Sequence, residues 1–389
     1  MRARKSRAIL AIAITSAILG ATPAFAGVTV NGSGATFASP LIEACKGDFN
    51  KDTGNTINYS GGGSGKGRTD FAGGLVDFAG SDAPYSTGAP SNLVYAPVYA
   101  APIALMYNIQ GIKEPIYLSP STVAQIFSGY ITNWDDKQIA ADNTRTVKTP
   151  IFETKTISTT NKGKKVSKKV PVLDAKGKPK IKSYKTQTVN IDLPKSQITV
   201  WYRTDSSGTS ENFTNFLNQT SGEKWTKAKN AVFANSTPRN IATQFNFQGA
   251  SGSAAVAAGV KSKEGSIGYG ELSFALATSL QVAKVQNAAG EFVAPEAAAV
   301  SAFLGGSTIN SNGTVTYDFK KSVTGAYPIG VTSYGLAYAS GKDAAKQKAV
   351  ADWFNYVLTQ CPTKYPEKGF SQITGPLADK AKQQIALIK

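Results

Sequence analysis

The sequence predicts an α/β fold in two domains, and three observations carry that prediction. A strand, a turn of small residues and a helix recur in that order along the chain. Two long apolar runs, 94–108 and 327–338, read as buried strands that cross from one domain to the other. Residues 27–389, which remain after an N-terminal leader, suffice for two well-filled cores.

The leader is residues 1–26. Arg2, Arg4, Lys5 and Arg7 precede an apolar stretch at 8–19, and Ala24-Phe25-Ala26 offers the small residues of a cleavage site, so the segment reads as a secretory signal peptide cut after Ala26. The apolar stretch is too short to anchor in a membrane, and Pro23 interrupts its end. No cysteine follows the cut to take a lipid, and no later segment approaches a membrane span, so the mature protein is expected to be soluble and exported. Only Cys45 and Cys361 remain, in an oxidising compartment. They form either one disulfide across nearly the whole chain or two buried thiols.

The first unit joins a strand at 28–31, the small residues Gly32-Ser-Gly-Ala-Thr-Phe-Ala38 and a helix at 41–51 whose apolar positions are Leu41, Ile42, Ala44, Cys45 and Phe49. A second strand at 56–59 runs into Gly61-Gly-Gly-Ser-Gly-Lys-Gly-Arg68. This loop is either an anion cradle of backbone N–H groups or a flexible turn, and Lys66 followed by Gly67 does not fit the nucleotide P-loop. A third strand at 76–80 leads to Ser81-Asp82-Ala83-Pro84. Asp82 there is either a crevice-facing acid at a strand's carboxyl end or a turn residue. Short helices are expected at 121–128 and 135–141, a helix at 249–260, a strand at 266–269 and a C-terminal helix at 343–358.

The chain is organised around residues 198–217. Ile198 to Tyr202 is β-branched and aromatic, and reads as a strand; Phe213, Phe216 and Leu217 recur at helical spacing. Ser207-Gly208-Thr209-Ser210 therefore lies where a helix begins, with unpaired N–H groups and the positive end of the helix dipole. Arg203, at the end of the strand, adds a planar fork suited to a tetrahedral oxyanion. The competing reading is an ordinary N-cap.

Charge and composition narrow the function. The chain carries 42 Lys and Arg against 25 Asp and Glu, a net +17; the leader holds four of the positive charges, leaving +13. Between Arg145 and Lys195, fourteen Lys or Arg stand against Glu153, Asp174 and Asp192, so one segment holds +11 and the rest of the mature chain only +2. A general nucleic-acid binder is thereby disfavoured. Within that segment, Thr, Val and Ile alternate with Lys around Asn161-Lys-Gly163 and Ala175-Lys-Gly177, which predicts solvent-facing hairpins. The chain has no histidine, so neither a Ser–His–Asp arrangement nor a His-ligated metal is available, and no cofactor or metal site is expected.

Gly34-Ala-Thr-Phe37, Asn58-Tyr59 with Gly63-Ser64, Val76-Asp-Phe78 with Ser81-Asp-Ala-Pro84, and Arg203 with Asp205 and Ser207-Gly-Thr-Ser210 together resemble the phosphate-binding protein of the bacterial high-affinity phosphate ABC transporter. Ile126-Phe-Ser-Gly129, Asn133-Trp-Asp-Asp136 and Gly265-Ser-Ile-Gly-Tyr269 extend the resemblance over most of the mature chain apart from the basic insertion. It implies a type II periplasmic-binding-protein fold: lobe I from 27–101 and 331–389, lobe II from 102–330, two crossing strands between them and a basic β-rich insertion at 145–195. It further implies a monomeric periplasmic protein, not an enzyme, that captures inorganic phosphate between the lobes and delivers it to a membrane ABC permease. The implied ligands are the backbone N–H groups of Thr36 and Phe37, with Ser64, Asp82, Arg203, Ser207, Gly208 and Thr209. The sequence departs from the family at Ala38, usually Pro, and at Lys66, usually small, which places a charge near the pocket mouth.

The constellation also makes physical sense. Phosphate near neutral pH keeps a proton that a fixed carboxylate at Asp82 can accept, whereas sulfate has none and is repelled. The alternatives are a secreted phosphatase of related sequence, which lacks an evident nucleophile and metal, or a protein that binds polyanionic surfaces through its basic insertion.

Overall fold

The computed structural model describes residues 27–161 and 164–389; the signal peptide expected over 1–26 lies outside them, as do Lys162 and Gly163 of the expected hairpin. Eight strands form the main sheet: β1 (Thr29–Gly34), β2 (Thr56–Gly61), β3 (Phe78–Ser81), β4 (Leu93–Asn108), β5 (Thr199–Arg203), β6 (Phe247–Ala250), β7 (Ser266–Glu271) and β8 (Gly330–Tyr338). Their spatial order is β6-β5-β7-β4-β8-β3-β1-β2, and a two-residue strand, Gln281–Val282, also pairs with β4.

Each lobe has a parallel core: β2, β1 and β3 in the first, β6, β5 and β7 in the second. The long antiparallel strands β4 and β8 join them. β4 pairs with β8 through Pro102 and with β7 from Ile103 onward, so one strand belongs to both lobes. Proline donates no ladder hydrogen bond, and the two prolines of β4 sit where none is lost: Pro102 at the change of partner, Pro97 at the register shift opposite Ser333 and Tyr334. The second apolar run is thus a single strand, and the bulge lies opposite it in β4, where Val98 is the extra residue. β4 and β8 read as continuous apolar runs because both are buried almost throughout.

Four helices start at the carboxyl ends of parallel strands: α1 (Ser39–Thr53) after β1, α2 (Ser64–Ala72) after β2, α3 (Gly208–Thr220) after β5 and α4 (Ser253–Ser262) after β6. α1 buries Leu41, Ile42, Cys45 and Phe49, and Gly54 ends it in the left-handed conformation at φ 76°. Phe49 meets Trp353 of the helix Ala344–Thr359 edge to face at 5.2 Å. A disulfide ties Cys45 to Cys361, 316 residues apart, with Cα atoms at 5.8 Å.

The helix expected at 249–260 begins only at Ser253. Gln248 and Gly249 instead continue the parallel ladder opposite Trp201 and Tyr202, and Gly252 makes the turn at φ 82°. The helix expected at 135–141 is Lys137–Asp142, with Asp136 as its cap. The helix at 343–358 is not the last: Gly375–Ile385 follows and buries Leu377, Ala381, Gln384 and Ile385 along one face.

The basic segment forms two antiparallel ribbons. Thr144–Phe152 pairs with Ile181–Asn190, and Thr154–Asn161 with Lys164–Pro171.

Candidate anion-binding site

The four helix starts converge between the lobes. Thr36 and Phe37 lie in the β1–α1 turn, Ser64 opens α2, and Asp82 follows β3; these belong to the first lobe. Arg203 ends β5, Ser207 caps α3, and Gly208 and Thr209 are its first residues, all in the second lobe. The structure brings all eight sequence-predicted residues into one buried cluster, with Thr36 alone partly exposed.

Asp82 is the centre. Its Oδ1 accepts from Ser333 Oγ at 2.9 Å and its Oδ2 from Thr209 Oγ1 at 3.2 Å, while its backbone N–H donates to Ser64 Oγ at 3.1 Å. Asn212 Nδ2 donates to the Asp82 carbonyl at 2.7 Å, which clamps the start of α3 against the first lobe. Asp82 is only 2% exposed, and burial pushes its carboxyl up to about 6 against the opposing pull of the Ser333 hydroxyl, Arg203, Thr209 and Arg68. At neutral pH it is an ionised acceptor.

Arg203 is 1% exposed, and its guanidinium is held on two sides. Nε donates to Asp205 Oδ1 at 2.6 Å and Nη2 pairs with Asp205 Oδ2, while Nη1 donates to Ser253 Oγ at 2.9 Å. Although burial works against it, the ion pair with Arg203 holds Asp205 below its usual range. Gly252 N donates to Asp205 Oδ1 at 3.0 Å, and Ser253 N to Thr36 Oγ1 at 3.2 Å, so α4 is tied to both the arginine and the opposite lobe.

Two glycines are needed for this approach. A Cβ on Gly208 would lie 2.5 Å from Ser64 Oγ and 2.9 Å from Asp82 Cβ, so only glycine lets α3 reach the first lobe. Gly63, at φ 89°, turns the chain into α2. Phe37 is fully buried with its ring 6.0 Å from that of Tyr99, which leaves its backbone N–H as the group it can offer a ligand.

With Arg203 set against Asp205 and Arg68 against Asp82, the side chains bring no excess positive charge to the site. Affinity for an anion must therefore come from N–H and hydroxyl donors at the helix starts, with the arginine's remaining edge. A fully deprotonated dianion facing Asp82 is repelled, and an oxyanion that carries a proton is not.

The sequence reading misses three contributors. Ser333 comes from the crossing strand β8, and nothing in that apolar run marks it. Ser253 carries a legible signal, a small residue at a helix start. Arg68 donates to Ser81 Oγ at 3.1 Å and the Ala83 carbonyl at 2.9 Å, and so braces the turn that carries Asp82. The charge of Lys66 is balanced within its own helix. Lys66 pairs with Asp70, which also accepts from Ser33 Oγ at 2.7 Å, on the outer side of α2. Among the described residues, no three His, Cys, Asp or Glu side chains gather as metal ligands, and no helix is long and apolar enough to cross a membrane.

Residues 20–360 match the family model of the PBP superfamily domain. The chain is 30% identical over 338 residues to phosphate-binding protein PstS 3 of Mycobacterium leprae, covering 83% of this chain and 76% of that protein. It is 29% identical over 337 residues to the phosphate-binding protein PstS of Xylella fastidiosa, covering 85% and 77%. Among solved structures, a phosphate-binding protein from Stenotrophomonas maltophilia superposes with a TM-score of 0.63 at 21% identity, covering 92% of this chain and 93% of that one. A high-affinity periplasmic phosphate-binding protein bound with phosphate gives 0.65 at 22% identity, with the same coverage. The two-lobe fold, the crossing strands and these matches over most of the sequence make the chain a member of the PstS-type phosphate-binding protein family within the periplasmic-binding-protein superfamily.

Proposed function

We propose that this chain is exported to the periplasm as a monomer, captures inorganic phosphate between its lobes and delivers it to a membrane ABC permease. The observation that carries the reading is Asp82, a buried carboxylate facing a ring of N–H and hydroxyl donors. In this arrangement the Thr36 and Phe37 N–H groups, Ser64, Arg203, Ser207, Gly208 and Thr209 donate to the anion, and Asp82 accepts the proton that phosphate retains. Lobe I is 27–101 with 331–389, and lobe II is 102–330, of which the Thr308–Ile309 and Val315–Thr316 hairpin packs back on Tyr334 of β8. The lobes move about the stretch where β4 changes partner, and closure excludes water from the bound ion.

Calorimetry with phosphate and with sulfate, alongside phosphomonoester turnover with added divalent metals, tests the reading. Stoichiometric phosphate binding, weaker sulfate binding and no turnover are expected. Turnover without stoichiometric binding overturns it in favour of a phosphatase.

A further inference from the structure

The basic arm plays no part in the site. It leaves the second lobe after Asp142, returns at Asn190 and rejoins the body through Gln197, which bridges to Asn133, just before β5 begins at Thr199. Arg203 lies at the other end of β5, so the root of the arm is at the opposite end of that strand from the anion site. The outer ribbon, eight residues a side, extends about 27 Å at the rise of a β-strand. Glu153 N to the Lys180 carbonyl and Val172 N to the Glu153 carbonyl, both 2.8 Å, join it to the inner ribbon.

Its two faces differ. Cross-strand partners share a face, so Lys155 with Val170, Ile157 with Lys168 and Thr159 with Val166 lie on one side. Thr156 with Lys169 and Ser158 with Ser167 lie on the other, where the two serine hydroxyls meet at 3.1 Å. One face therefore alternates lysine with aliphatic side chains, and the other is hydroxyl and lysine. Ile157 is 44% and Val166 49% exposed, and neither packs against the hydrophobic core. Among the described residues, the one salt bridge on the ribbons beyond their root is Lys180–Glu153 at 3.2 Å, and Lys155, Lys165, Lys168 and Lys169 pair with no carboxylate.

We propose that the face bearing Lys155, Ile157, Val166 and Lys168 docks the protein on an anionic phospholipid bilayer. Aliphatic residues interleaved with lysines match that surface: the side chains of Ile157 and Val166 enter the boundary between headgroups and acyl chains, and the lysine ammonium groups reach up to the lipid phosphates. A soluble polyanion would draw equally on the lysines of both faces and gain nothing from Ile157 and Val166. Because the arm is rooted at the far end of β5 from the anion site, docking leaves the interlobe opening free.

Cosedimentation of the full mature chain with vesicles of phosphatidylcholine, with and without phosphatidylglycerol, tests this at ~0.05 M and ~0.5 M salt. Binding to the phosphatidylglycerol vesicles alone, lost at high salt, is expected. The charge-neutral double change Ile157→Ser with Val166→Ser should lower that partitioning about tenfold or more, Lys155→Gln should lower it on the order of fivefold, and Ser158→Ala on the other face should leave it unchanged. Phosphate titration of each variant checks that the body is folded. Absence of vesicle binding at low salt, or an undiminished double-serine variant, overturns the proposal. So does tighter binding to soluble polyphosphate that ignores the serine changes, which would make the arm a reader of bare charge.

Discussion

Replacing Asp82 by Asn should stabilise the protein while degrading its selectivity. Burial raises the Asp82 carboxyl from 3.8 to about 6. Each pH unit of such a shift is worth about 1.4 kcal/mol, so holding the group ionised in the folded state at pH 7.5 costs about 3 kcal/mol. The sign follows from the raised value: the folded state holds its proton to higher pH than the unfolded chain. The associated stability is therefore full below pH ~4 and is lost as pH rises through about 6. Asparagine removes that loss, and its single acceptor oxygen keeps one of the two hydroxyl donors, Ser333 or Thr209, at a cost of about 1 kcal/mol for the other. We expect net stabilisation of about 1–2 kcal/mol at pH 7.5 in ligand-free urea unfolding, and none at pH 4. With the repelling charge gone, the ratio of phosphate to sulfate affinity measured by calorimetry should fall by about tenfold or more, mainly through tighter sulfate binding. An unchanged ratio, or a variant less stable at pH 7.5 than at pH 4 relative to wild type, refutes the reasoning. Protonating Asp82 should mimic the substitution, so sulfate should compete better at pH 5 than at pH 7.5 in the wild type.

Other changes probe the surroundings of Asp82. Arg203→Lys exchanges a fork that spans Asp205 and Ser253 for a single point charge, and phosphate affinity should fall by about 1–3 kcal/mol in calorimetry; wild-type affinity would place the guanidinium outside the site. Ser333→Ala removes a donor that holds the Asp82 carboxyl down, so the midpoint at which sulfate begins to compete on acidification should move upward from about 6; a fixed midpoint would rule out that hydroxyl as a tuner. Glu271 is fully buried and pushed up to about 7 by burial, with Oε2 accepting from Ser273 N at 3.0 Å and Oε1 unpartnered. Its stability contribution is present below pH ~4.5 and lost as pH rises through about 7, so Glu271→Gln should unfold at higher urea than wild type at pH 8 and not at pH 4; equal midpoints at pH 8 would show that the acid is solvated in the folded protein.

Local order carries most of what is legible in the sequence. The strand, small-residue turn and helix around Arg203 is written in the twenty consecutive residues 198–217, and the same grammar marks the turns at Thr36 and Ser64. The long buried strands betray themselves by unbroken apolarity. Ser333 is invisible for the same reason: it meets Asp82 across 251 residues, and one hydroxyl in a buried strand has no local signature. What Lys66 does with its charge is not legible locally, because Asp70, one helical turn away, claims it only once α2 is built. Gly249 and Ala250 look like the start of a helix until a parallel neighbour, β5, claims them for the sheet. Tertiary pairing decides such cases, and propensity does not.

The order in which the strands are made differs from the order in which they are needed. The second lobe's β4, β5, β6 and β7 lie within one continuous stretch and can pair as soon as Glu271 is available. The first lobe cannot finish then. β3 lacks its antiparallel partner until Tyr334 to Leu336 arrive, and Cys45 waits for Cys361. During synthesis the N-terminal lobe is thus the last to close, and its apolar sheet edge stays unsealed while more than two hundred residues pass. A chain built this way commits its earliest residues to a fold only when its late ones arrive, and covalent closure marks completion.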